Sequence, residues 1–373
     1  MNAARRMLVC LLISWLALLI GGAAVLGAPD EYGGEVLFSL PFENPEKPIL
    51  VGRFKVASEN MIFLSRSDRK GIVRLNRSGE EVASATSVYR RPPELEAQPE
   101  ELAPLGSVYN FAALPDGRLF VTEESYAPAI QAFDASGVPQ EGSKDTFRAH
   151  VLQALDRSYG MYQSPQLSQI DTDQFGDLFL HVSPAPTEYN VALVKFDSNL
   201  DLVGVVPGYM VGWDGRTYGF SPSKGSEPND RLRIWSRDGE PEGVITLRPP
   251  NGIADGEYDY KLGKWRSCTV EIDGRGDIYM VHRTRRPRSQ WIEVLPGTVK
   301  TEEYEAPRFA IADNIVIHKF THDGQFTARL ALRGLPYWMD YPIAVDPAGN
   351  IYHLEYYKDH VDFVKETLVI SSP

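Results

Sequence analysis

The sequence predicts an all-β fold, a six-bladed β-propeller of four-stranded antiparallel blades, closed by pairing an N-terminal strand with the last blade and carrying one short inserted helix. Two recurring motifs predict it. The first is an apolar strand running into Asp-x-x-Gly and then Ile/Leu-Tyr/Phe. It is clearest at Ile343 to Tyr352, with degraded copies at Leu114 to Val121, Ile170 to Leu180, Val211 to Tyr218 and Ile272 to Met280, and a weaker one at Ser58 to Leu64. The second motif follows it unit by unit, as Ile72 to Gly79, Ile130 to Gly137, Leu193 to Asn199, Leu232 to Gly239 and Ile317 to Gly324. Each is period-two alternation ending in a turn cluster, the pattern of a β-hairpin. Two hairpins per unit make one blade, and units repeating at this spacing stack radially.

From the N-terminus, Arg5 and Arg6 precede an apolar run from Met7 to Ile20, and small residues follow as far as Ala28. This is the layout of a secretory signal peptide over 1–28, with an uncleaved anchor as the alternative. The remainder, 29–373, is expected to be a single propeller domain outside the cytoplasm, periplasmic or secreted. Glu35 to Leu40 is the candidate closing strand. Five full blades follow near 52–84, 107–142, 167–205, 209–247 and 266–332. The sixth, near 341–370, has its first hairpin and then only Thr367 to Ile370, so the N-terminal strand supplies what it lacks and no long edge stays unpaired.

Departures from the repeat mark insertions. Arg90 to Leu105 is rich in Pro and Glu and predicts an acidic surface loop. Ser143 to Tyr159 places Phe147, Val151, Leu152 and Leu155 at helical spacing behind a Ser143 cap, so one amphipathic helix is expected against the propeller. Arg248 to Lys264 is a Gly/Pro/Tyr-rich crossover. A long insert from Arg283 to Asn314 interrupts the fifth blade and opens with basic residues from His282 to Arg288. It is either a solvated loop or a docking site for an anionic ligand. Tyr337 and Trp338 enter the last blade, to stack on a sugar ring or to plug the core.

The Asp-Pro-x-Gly-Asn-Ile-Tyr of Ile343 to Tyr352 and the Lys-Phe-Thr-x-x-Gly within Val316 to Gly324 resemble the six-bladed propellers of the NHL-repeat and TolB-like kind. The likeness extends over most of the chain from about Tyr32. It implies a fold more than an activity, because such propellers include protein-binding scaffolds, lactonase-like metal hydrolases and an amidating lyase.

Composition excludes several classes. A formal charge of −12 and a pI near 5.2 argue against a nucleic-acid partner. Of two cysteines, Cys10 lies in the signal segment, so Cys268 has no internal disulfide partner. Gly-x-Ser-x-Gly, His-Glu-x-x-His and phosphate-loop signatures are absent. The acidic turns at Asp171-Thr172-Asp173 and at Asp273 and Asp277 are better explained as backbone caps than as calcium ligands, since no twelve-residue loop ending in Glu follows.

Aligning the first hairpins on their turn glycine and counting six residues onward gives Glu123, Val182, Ser221, His282 and Glu355, with Arg66 by extrapolation. This position is expected near the end of an inner strand, at the mouth of the central channel. His181 and His353 lie one and two residues before it. Two readings stand. The leading one is an exported, non-catalytic monomeric scaffold without cofactor, binding a protein, peptide or glycan near Arg66, Glu123, Ser221, His282, Arg283 and Glu355. The alternative is a metal-dependent hydrolase or lyase in which Glu123, His282 and Glu355 hold a divalent metal, Ca or Zn, and Arg66 or Arg283 holds an anionic substrate.

Overall fold

A computed structural model describes residues 34–42, 51–66, 71–85, 110–122, 130–160, 166–183, 185–187, 190–220, 231–247, 268–285, 289, 292–300, 305–336 and 343–366. The chain forms six antiparallel sheets arranged in a ring. It begins with β1 (Glu35–Pro41). The first blade is then β2 (Val51–Ser58), β3 (Met61–Arg66), β4 (Ile72–Leu75) and β5 (Glu81–Ala85). The second is β6 (Phe111–Ala113), β7 (Leu119–Thr122) and β8 (Ile130–Phe133), its fourth strand reduced to one bridge between Phe133 and Pro139. Helix α1 (Ser143–Tyr159) follows. The third blade is β9 (Gln166–Thr172), β10 (Leu178–Ser183), β11 (Ala192–Phe196) and β12 (Leu202–Val206). The fourth is β13 (Met210–Val211), β14 (Thr217–Phe220), β15 (Arg231–Trp235) and β16 (Pro241–Thr246). The fifth contains β17 (Cys268–Ile272), β18 (Ile278–Arg285), β19 (Ile292–Lys300), β20 (Glu305–Phe320) and β21 (Phe326–Pro336). The last is β22 (Ile343–Val345), β23 (Ile351–Tyr356) and β24 (His360–Glu366), with β1 as its outer strand.

The turns explain why these segments become hairpins. Asp273 receives the backbone N–H of Arg275 at 2.9 Å and of Asp277 at 3.0 Å on one carboxylate oxygen, while Gly276 N–H closes the turn on the Asp273 carbonyl at 3.0 Å. Asp173 and Asp346 make the same pair of bonds in their blades. Asn76, Asp134 and Asp197 repeat it in the second hairpins. The acidic turns are backbone caps, as expected from the sequence. The turn glycines also meet the neighbouring blade. A Cβ at Gly137, whose φ is +84°, would sit 2.3 Å from the Ser84 carbonyl oxygen, and one at Gly324 2.5 Å from that of Thr246.

The ring closes as predicted. β1 runs antiparallel to β24, from Glu35 opposite Lys365 to Pro41 opposite His360. Phe38 stacks on Phe363 with centroids 5.1 Å apart, and Phe54 of the first blade meets Phe363 edge-on at 5.4 Å. One apolar cluster therefore joins the closing strand, the last blade and the first.

Several expectations need correction. The third strand of the last blade is β24, and Thr367 to Ile370 lie outside the described residues, as do the segments 90–105 and 248–264. Helix α1 begins after Gly142, whose left-handed backbone makes no side-chain cap; the Ser143 hydroxyl instead bonds the edge of β8 through Ala132 N–H at 3.1 Å. On its buried face Phe147, Val151 and Leu155 are joined by Ala154, while Leu152 is exposed because it lies off the helical stripe.

The fifth-blade insert is not a loop. β18 pairs with β20 as far as Arg285 opposite Asp313, and β19 then takes over the same edge of β20 from Ile311 to Glu305. β20, with 16 residues, spans about 50 Å at ~3.3 Å per residue. Half of it belongs to the blade and half to a hairpin arm that continues past it.

In the fifth and sixth blades the second oxygen of the turn Asp accepts a tyrosine hydroxyl six residues on, Tyr279 to Asp273 at 3.1 Å and Tyr352 to Asp346 at 2.9 Å. The third blade has Phe179 there. Asp173 Oδ2 is buried without a hydrogen-bond partner among the described residues, and burial, then the Asp177 charge, pushes the carboxyl up to about 6. A carboxyl raised in the folded state adds stability below its ordinary pKa and loses it as pH rises through the folded value. Phe179→Tyr should therefore stabilise the chain by about 1 kcal/mol at pH 8 and by less at pH 4, measured by urea melts at both. Phe38→Ala should cost about 3 kcal/mol in the same assay, because it empties the seam that closes the ring.

Candidate functional site

The first strands of the blades are the innermost, since β2 packs on β6 and β22, β6 on β9, and β17 on β22. Within them one register position recurs around the ring. Lys55 stands opposite Phe63, Asp171 opposite Phe179 and Glu271 opposite Tyr279. In the alternate blades the same place holds Ala112 opposite Phe120, Met210 opposite Tyr218 and Ala344 opposite Tyr352. Period-two alternation puts Arg53, Gln169 and Thr269 two residues back on the same face, with Asn110 just ahead of β6.

These side chains meet across the axis. Lys55 Nζ lies 3.0 Å from Asp171 Oδ1, although they belong to the first and third blades, which are separated by the second. Arg53, fully buried, donates to Asn110 Oδ1 and places its other terminal nitrogen 3.9 Å from Asp171. On the other carboxylate oxygen, Asp171 accepts Gln169 Nε2 and has His181 Nε2 at 3.0 Å. Burial alone would raise the Asp171 pKa, but Lys55, His181 and Arg53 outweigh it and hold the carboxyl well below the usual range. For Lys55, burial works downward, and Asp171 with Glu271 more than reverses it. Glu271, unlike Asp171, is raised, by burial and by Asp171 against the pull of Lys55 and Arg53.

Trp213 closes the lower end of this channel. From the fourth blade its indole N–H donates to the Val345 carbonyl of the sixth at 2.6 Å, and its backbone N–H to Ile272 of the fifth at 3.1 Å. Its carbonyl accepts Gln174 N–H of the third blade at 3.0 Å, and its ring packs in the cluster holding Ala57 and Ala113 of the first and second. One residue thus bonds to the third, fifth and sixth blades and shares an apolar cluster with the first and second. The result is a polar well with an aromatic floor.

The residues singled out from the sequence sit one strand further out. Arg66 ends β3, Val182 lies buried in β10, His282 is in β18 and Glu355 in β23, all second strands. The reason is geometric. The aligned turn joins first to second strand, so counting onward climbs the second strand, whereas counting back two residues from the turn Asp reaches the axis. Glu123, Ser221, Tyr337 and Trp338 lie outside the described residues, and Arg283 is placed by backbone only, opposite Ile315.

His282 and Glu355 each make contacts inside their own blades. The His282 ring lies 4.7 Å from that of His318 inside its own blade, and His318 is pushed down to about 3 by burial, then by His282 and Arg329. Glu355 accepts the Tyr357 hydroxyl at 2.7 Å. Among the described residues no three metal-ligating side chains cluster. Sequence inspection noted Asp171 and His181 without assigning them to the axis, and missed Arg53, Lys55, Glu271 and Trp213. The available signal was charge inside otherwise apolar strands.

No protein-family model matches the chain, and a search of curated proteins finds no match. Among solved structures it is similar to a member of the DUF4221 family from Bacteroides vulgatus, at 10% identity and TM-score 0.48, covering 92% of this chain and 100% of that one. It is also similar to regucalcin, a calcium-binding protein from Agrobacterium tumefaciens, at 12% identity and TM-score 0.42, covering 90% and 95%. A protein of unknown function from Bacteroides caccae matches at 13% identity and TM-score 0.38, covering 77% and 83%. Likenesses this distant carry no inference about ligand or activity, and the six-bladed ring rests on the chain's own sheets. No helix among the described residues is long and apolar enough to cross a membrane.

Removing the carboxylate that both channel cations share should be severe. Asp171→Ala is expected to cost about 3–5 kcal/mol by urea denaturation, and adding Lys55→Met to it should recover part of that loss. Because the Asp171 pKa is depressed, its contribution is complete above the ordinary carboxylate value and fades only as pH falls below it. The cost should therefore stay level from pH 8 to 5.

Proposed function

We propose that the chain is a non-catalytic binding propeller, working outside the cytoplasm, that holds a protein, peptide or glycan ligand on one face of the ring. The observation that carries this reading is the difference between the two faces. First strands join second strands, and third join fourth, through tight turns such as 114–118, 173–177, 236–240 and 346–350, and on that face Trp213 seals the axis. Second strands end on the opposite face, where Arg66 and Glu355 lie. The longer connections leave from that face, among them those after Thr122 and Phe220, and the arm of β19 and β20 rises from it. Long segments on a rigid scaffold are where recognition is carried.

The chemistry in the well supports binding over catalysis. Asp171 is engaged by Lys55, His181 and Gln169 and held well below the usual carboxylate range, which makes it a poor proton acceptor for a substrate. Export is supported by the basic and then apolar N-terminal sequence.

The test uses residues 29–373 and a variant with 292–311 replaced by a short Gly-Ser linker, both presented to a defined panel of cell-envelope oligosaccharides and peptides. Saturable binding by the parent, weakened about tenfold or more in the variant at unchanged melting temperature, is the expected result. An absence of saturable binding across the panel overturns it. Metal-dependent turnover of esters or lactones, lost in His282→Ala, would instead establish the hydrolase or lyase reading.

A further inference from the structure

The well is blind, and that limits what can enter it. Its floor is Trp213, and its walls at mid-depth are Lys55, Asp171 and Glu271. Among the described residues Lys55 spends one of its three N–H donors, on Asp171, and its side chain stays 21% accessible. Glu271 has no hydrogen bond or ion pair among them, yet it feels the charges of Lys55, Asp171 and Arg53. Spare donors and a spare carboxyl therefore face the same accessible space from the first and fifth blades, with the Asn110 and Gln169 amides one layer above.

We infer that this well takes an uncharged sugar residue at the end of a glycan, whose hydroxyls bridge Lys55 and Glu271. The inference deepens the binding reading above and rests on it. Two cations, Arg53 and Lys55, already balance two carboxyls, Asp171 and Glu271, so an ionic ligand would bring an uncompensated charge into a confined site. A hydroxyl both donates and accepts, and can satisfy ammonium and carboxyl together. A blind well admits only chain ends. Peptide ends are charged, whereas the non-reducing end of a neutral glycan is not.

The experiment is saturation-transfer NMR with calorimetry on residues 29–373. The probes are the methyl glycosides of glucose, galactose, mannose and N-acetylglucosamine, with glucuronic acid and glucosamine as charged counterparts and an end-blocked Gly-Gln dipeptide. At least one neutral glycoside should bind, about tenfold more tightly than either charged sugar. Glu271→Ala should cost it about tenfold without lowering the melting temperature, and Glu271→Gln should retain most of it. Glycoside binding unchanged in Glu271→Ala, charged sugars bound equally well, the dipeptide bound in their place, or no glycoside bound would each overturn the inference. Cleavage of a bound glycoside would sink the non-catalytic reading while leaving the sugar preference intact. Failure of the arm replacement to weaken panel binding would sink the loop-face reading alone, because that replacement touches no residue of the well.

Discussion

Much at the axis depends on the capped turns that end the innermost strands of the third, fifth and sixth blades. A strand's side chains alternate between faces, so a slip of one residue would turn Asp171 and Glu271 away from the centre. The cap prevents the slip by spending a carboxylate oxygen on two backbone N–H groups, as at Asp173, Asp273 and Asp346. Turn chemistry, which carries no function itself, thus decides which residues can. At Asp173 the cap is made but its second oxygen, above Phe179, has no hydrogen-bond partner among the described residues, and burial, then the Asp177 charge, raises the carboxyl.

The same caps account for how much was legible from sequence. Asp-x-x-Gly is a local rule, so the hairpins, the blade count and the closing role of Glu35 to Leu40 followed from spacing. The arm did not. Its β19 and β20 interrupt the repeat with Pro296 and Pro307, and only pairing with a long β20 shows that the insert is strand. The helix was legible, but its stripe was misjudged at Leu152, where spacing could not tell a buried face from its margin.

The site was less legible than the fold, because register around a ring is a relation among strands roughly sixty residues apart. Counting forward from the turn glycine selected Arg66, His282 and Glu355 on second strands. Counting back selects Lys55, Asp171 and Glu271. Motif alignment alone cannot choose between these directions, and the choice is made by which strand faces the axis. Trp213 was harder still, since nothing in its own hairpin foretells bonds to Val345 and Ile272 in other blades.

A charged set in the middle of a ring is a weak source of net stability, because desolvation offsets most of the attraction. Its stronger effect is on arrangement. The blades are similar hairpin pairs, and apolar packing alone would discriminate poorly among them. Lys55 and Arg53 reach Asp171 only when the first and third blades stand one blade apart around the axis, and Trp213 reaches Val345 only when the fourth and sixth do. Any other order leaves a cation or an indole N–H buried without its partner, at a cost of several kcal/mol for the charge. The groups that fix blade order are therefore the same groups that line the well, so its geometry is set before any ligand arrives and binding need not supply the ordering.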